Sequence, residues 1–162
     1  MASIFGLKLK GRRTFEGRDW QGNQGNLYIG NTKIAWYNDS GDGGSADIEY
    51  YNGRPGREKY EPQLEEIVKK YYEKFPLQGE YANLSPDAEL LMGELLQLMD
   101  DEKQYKKFEK MGYSATAIFK VGENGVPKYC ACKGRAGVEV LEKKPNVIIL
   151  KVYESIENFD IK

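Results

Sequence analysis

Arg12, Arg13 and Arg18 are interleaved with Phe15 and Trp20 in a glycine-rich stretch, which sets guanidinium forks among flat aromatic faces. That mixture suits stacking on bases or docking on a protein surface, because a guanidinium pairs with anions and also lies over rings. A second mixture of the same kind runs through Tyr50, Tyr51, Arg54 and Arg57, with Lys59 and Tyr60 just beyond. Tyrosine and arginine recur at the energetic centres of interfaces, since each offers a large, stiff contact with a polar tip. Taken singly, each residue has an ordinary reading: tyrosines at the rim of a core, arginines in water. Taken as two groups, they are the binding residues the sequence nominates.

Catalysis finds less to work with. Histidine is absent, and with it the commonest base near neutral pH and the commonest metal ligand, so triad hydrolases and the usual zinc hydrolases are excluded. Carboxylate chemistry survives. Asp39, Asp42, Asp47 and Glu49 would suit a divalent-metal enzyme such as a nuclease, and Asp47 and Glu49 share a face if they lie on a strand. Glu142-Lys143-Lys144 has the Glu-x-Lys spacing of some nucleases but lacks a matching upstream acid.

Asn38, Ser40, Asp42, Gly43 and Glu49 occupy positions one, three, five, six and twelve of an EF-hand-like loop. The flanks read as strands, however, so a plain turn explains the segment. Gly41, Gly43 and Gly44 could aim backbone amides at an anion, against the repulsion of Asp39 and Asp42. Neither of the usual glycine-rich nucleotide cradles occurs. Cys130 and Cys132 would point the same way on a strand, badly placed to bridge each other and too few to complete a zinc set. Reduced thiols packed as small core residues are expected, with no metal site, no cofactor and no catalytic residue.

These groups must be positioned by a fold, and the pattern is α+β. The chain of 162 residues fits a single domain, mainly β over 1–52, mainly α over 57–112 and mainly β over 114–153. Leu7 and Leu9 alternate with lysines; Gly30-Asn31 separates two β-rich runs as a hairpin turn would; Ala46 to Tyr51 follows the loop at 38–44. This is a β-meander. Tyr60, Leu64, Ile67, Val68, Tyr71, Tyr72 and Phe75 then recur at helical spacing, with Pro62 placed in the first turn, and Gly53-Arg54-Pro55-Gly56 reads as the link before it.

Ser85-Pro86-Asp87-Ala88-Glu89 starts a second helix capped by Ser85, whose apolar surface is wider than one stripe. Asp100 or Asp101 restarts a shorter third helix, which Gly112 ends. Strands follow at 115–121, 126–133 and 147–153; 136–144 fits either a short helix or a strand, and the lysines at its end favour the helix. The expected architecture is an antiparallel sheet with helices on one face.

Twenty-four basic and 25 acidic side chains give a net charge of −1, which argues against binding a nucleic-acid backbone over a broad surface while leaving room for a local basic patch. No stretch approaches the roughly 20 apolar residues of a membrane helix, and residues 1–10 carry no signal-peptide core, so no membrane association and a cytoplasmic setting are expected. The amphipathic helices would serve a homo-oligomer interface as readily as a core.

Gly25-Asn26-Leu27-Tyr28-Ile29-Gly30-Asn31-Thr32-Lys33-Ile34-Ala35, followed by Asp39-Ser40-Gly41-Asp42-Gly43-Gly44, resembles small accessory proteins of bacteriophages and mobile elements, over about the first third of the chain. The resemblance implies a counter-defence role in the host cytoplasm. Such proteins either plug a host protein effector or sequester a nucleotide-like signalling ligand. Balanced charge and an acidic glycine loop favour the first, and no residue role is carried over.

Overall fold

Alternation of apolar and polar residues gathers the first strands into one sheet. In the computed structural model, which describes residues 1–162, these are β1 (Ser3–Ile4), β2 (Leu7–Glu16), β3 (Gln21–Ile29), β4 (Thr32–Asp39) and β5 (Asp47–Tyr50). Helices α1 (Gly53–Lys74) and α2 (Ala88–Lys110) follow; then come β6 (Ala115–Val121), β7 (Lys128–Cys132), α3 (Gly134–Glu142), β8 (Val147–Tyr153) and β9 (Asp160–Ile161). The α+β class is as expected, but the strands are shared between two sheets. One has six strands in the order β5-β4-β3-β2-β1-β9, antiparallel except for β1 beside β9, and the other is antiparallel in the order β7-β6-β8. The chain divides into two compact units, Met1–Gln97 with Asp160–Lys162, and Leu98–Phe159.

In the first unit the two-residue turn Gly30-Asn31 joins β3 to β4, and a longer loop, 40–46, joins β4 to β5. Leu7, Leu9, Leu27, Ile34, Ala35 and Tyr37 are buried from the sheet, and Leu64, Ile67, Val68, Tyr71 and Tyr72 from α1. Each fully buried leucine contributes roughly 1.5–3 kcal/mol. Helix α1 begins earlier than its periodicity indicates: Asn52 turns the chain with φ 65°, and the expected linker is the helix's own first turn. Pro55, not Pro62, is therefore the first-turn proline. Pro62 lies inside the helix, where its ring faces solvent and the carbonyl it leaves unbonded can be hydrated.

Helix α2 is capped by Asp87 rather than Ser85, the carboxylate accepting from the Leu90 amide at 2.9 Å. Its start buries Leu91, Met92 and Leu95 but leaves Leu90 37% exposed, a narrower apolar stripe than expected.

The second unit holds the continuation of α2, which does not restart at Asp100 or Asp101. The Asp101 carboxylate accepts the hydroxyls of Tyr129 at 2.7 Å and Tyr153 at 2.6 Å. Gly112 ends the helix as expected, and the Tyr113 amide returns to the Phe108 carbonyl at 3.1 Å. Segment 134–142 is the expected short helix, and it packs Val138 and Leu141 on Ala115, Ala117 and Cys132 of the small sheet. No helix is long and apolar enough to cross a membrane.

Candidate functional site

The first aromatic and arginine group is divided by strand alternation, and a bulge sets which of its residues turns inward. The pairing of β2 with β3 shifts register between Lys10 and Arg13, at Gly11, whose φ of 64° admits the extra residue. Arg12 consequently turns toward the buried side, where it donates to Asn23 Oδ1 at 2.9 Å and lies 3.5 Å from the Leu96 carbonyl. Arg13 stays on the outward side and is exposed. Phe15, paired with Gly22, covers that glycine so closely that a methyl group there would overlap its ring.

Arg18 and Trp20 sit at the tip of the β2–β3 hairpin, and the tip is locked onto the loop between β4 and β5. The amides of Asp19 and Trp20 both donate to the Gly41 carbonyl, at 2.8 and 3.1 Å, and the Gly17 amide donates to the Trp20 carbonyl at 3.0 Å. Gly41 has φ 68°, and a methyl group on it would overlap the Trp20 carbonyl, so only glycine permits this approach.

The Arg18 guanidinium crosses the junction to the Asp42 carbonyl at 2.8 Å and pairs with Asp19 at 3.1 Å. Within the loop, the Asp39 and Asp42 carboxylates accept from the amides of Gly41 and Gly44. The Gly44 amide, then the Ser40 hydroxyl, hold the Asp42 carboxyl below its ordinary range. On this braced tip the Trp20 side chain remains 50% exposed. Phe15, Arg18 and Trp20 share one shallow concavity with the hairpin turn.

The second group is also divided. Tyr51 lies on the outward face, its hydroxyl donating to Asn26 Oδ1 at 2.7 Å with Lys33 Nζ 4.7 Å above its ring. Tyr50 and Arg57 instead line a cleft of about 680 Å³ between β5, α1 and the start of α2, floored by Ile48, Leu64 and Val68. Burial, helped by Glu61, pushes the Tyr50 phenol up to about 12. Arg54 borders the adjoining groove, and both arginines are engaged on their own helix, with Glu58 at 2.7 Å and Glu61 at 2.6 Å.

The acids considered for metal chemistry do not converge. Asp39 pairs with Asn23 on the buried side, Asp47 and Glu49 point outward from β5, and Asp42 caps the tip. No group of three acidic or thiol side chains is placed to hold an ion. Cys130 and Cys132 are free thiols 3.9 Å apart, and burial, with Cys130 beside it, raises Cys132 to about 11.

Sequence reasoning left the partners of the tip unassigned. Gly17, Asp19 and Gly41 complete it, and the signal for them was glycine at both ends of the contact. No family model matches the chain, and no curated protein or solved structure matches it either.

Proposed function

We propose that this chain is an accessory binding protein, of the kind phages and mobile elements direct against host defence, which docks its hairpin tip on a host protein effector. The observation that carries the reading is the pairing of rigidity with exposure: Trp20 is half exposed on a backbone fixed by three hydrogen bonds and a glycine contact. An aromatic anchor ordered before contact loses little entropy on binding, the usual condition for a hot spot. Asp19, Asp39 and Asp42 surround the tip, and their charge disfavours a phosphate-bearing ligand there while suiting a protein surface with basic groups around an apolar pocket.

The test is capture from bacterial host lysate on immobilised wild-type chain and on Trp20→Ala and Arg18→Ala variants. A protein retained by the wild type and lost from Trp20→Ala supports the reading. Equal retention by all three overturns it. So does metal-dependent turnover of nucleic acid by the wild type that disappears on substitution of Asp47 or Glu49.

A further inference from the structure

Register assigns each residue of β2, β3 and β4 to one of two faces, because paired residues on neighbouring strands share a side. Leu9, Leu27 and Ala35 form one such row on the buried side. On the other side Lys8 stands beside Tyr28 and Lys33, and Lys10 beside Asn26 and Trp36. Arg13 and Phe15 continue that side along β2. All eight of these outward residues are exposed or half-exposed.

The distribution of charge on this face is uneven in a way the total conceals. Three neighbouring strands present four cations outward and no carboxylate, in a chain whose net charge is −1. The outward acids, Asp47 and Glu49, lie on the edge strand β5, opposite Asn38 and Trp36. Interleaved with the cations are rings: Lys10 Nζ lies 4.4 Å from the Tyr28 centroid, and Phe15 and Trp36 flank the same patch. Gln24 and Asn38 add amide donors and acceptors between them, while Asn26 Oδ1 accepts the Tyr51 hydroxyl.

We propose that this outward face is a platform for single-stranded nucleic acid. Alternate residues of a strand stand about 7 Å apart, so Lys8, Lys10 and Arg13 form a row of cations along β2 that can follow a phosphate backbone. Bases turned toward β3 and β4 then meet Tyr28 and Trp36, and stacking requires only a ring face, which a single strand offers and a closed duplex does not. Lys8, Lys10, Arg13, Tyr28 and Trp36 lie outside the Trp20 tip, which adjoins the platform only at Phe15.

Fluorescence anisotropy of a labelled oligothymidylate titrated with the full chain tests this. Saturable binding that weakens with salt is expected. The double variant Lys10→Gln, Arg13→Gln should weaken it at least about tenfold at low salt and reduce the salt slope by about 1.4, since each cation withdrawn from a single strand's phosphates lowers that slope by roughly 0.7. Tyr28→Ala and Trp36→Ala should each weaken it by about five- to a hundredfold and leave the slope unchanged.

Urea midpoints confirm that each variant is folded. Oligouridylate bound more tightly than oligothymidylate, with the same variant pattern, assigns the platform to RNA. Three results each overturn the proposal: no binding, binding indifferent to these substitutions, or a duplex of equal length competing as well as the single strand.

Discussion

Gly41→Ala separates the bracing of the tip from its chemistry, because it removes no side chain from the surface. Alanine at φ 68° costs about 1–2 kcal/mol in a left-handed conformation. That strain is the smaller part of the problem, since the new methyl group would also overlap the Trp20 carbonyl. The closed arrangement is therefore not available to alanine, and the tip must open. Opening sacrifices the bonds from the Asp19 and Trp20 amides to the Gly41 carbonyl, each worth about 1 kcal/mol net, so a loss near 2 kcal/mol is expected.

Urea unfolding measures that loss, and amide hydrogen exchange locates it. The amides of Asp19 and Trp20 should lose protection by more than the change in global stability, while those of β3 at Leu27 should change only with it. Affinity for a tip-bound partner should fall as well, because Trp20 would have to be re-ordered at about 0.5–1.5 kcal/mol. An unmoved midpoint with Asp19 and Trp20 still protected would refute the claim that this glycine contact holds the tip.

Three further substitutions and titrations probe the rest of the fold. Pro62→Ala restores a hydrogen bond inside α1 on its solvent side and should raise stability by about 1–3 kcal/mol in urea; a lower midpoint would mean that the proline is doing something other than interrupting a helix. The Thr116 hydroxyl is buried without a hydrogen-bond partner, so Thr116→Val should gain about 1 kcal/mol, and a clear loss would show a partner that the geometry does not. Burial pushes the phenols of Tyr37, Tyr50 and Tyr72 from 10.0 up to about 12. Their folded values lie above the unfolded one, so the stability they contribute is complete below pH 10 and is lost as pH rises toward about 12. Phenolate absorbance and urea midpoints recorded together across that range should change in step; ionisation of these phenols with no loss of stability would contradict it.

Features fixed by local chemistry were legible. The Gly30-Asn31 turn, the stop at Gly112 and the short helix before Lys143 each depend on a few adjacent residues. The misreadings came from competition between similar signals. Pro55 and Pro62 both suit a first turn, and the chain reversal at Asn52 decides for Pro55. Ser85 and Asp87 both suit a cap, and the carboxylate of Asp87 reaches the Leu90 amide.

Asp101 looked like a helix start because an acid commonly caps, yet its partners, Tyr129 and Tyr153, come from strands far along the chain. The site was legible as residue types but not as groups. Strand alternation sends Arg12 and Arg13, like Tyr50 and Tyr51, to opposite sides, and the one-residue bulge at Gly11 decides that Arg12 is the inward one. The contact of Gly41 with Trp20 is between two loops, and no periodicity encodes it.

We propose that the braced tip is the surface by which this chain acts on a protein. Amide exchange of the chain alone and saturated with its captured partner tests that most directly. Strong new protection confined to the tip, over 17–20 and 41–44, is the predicted result. Protection elsewhere with these segments exchanging as in the free chain would contradict it.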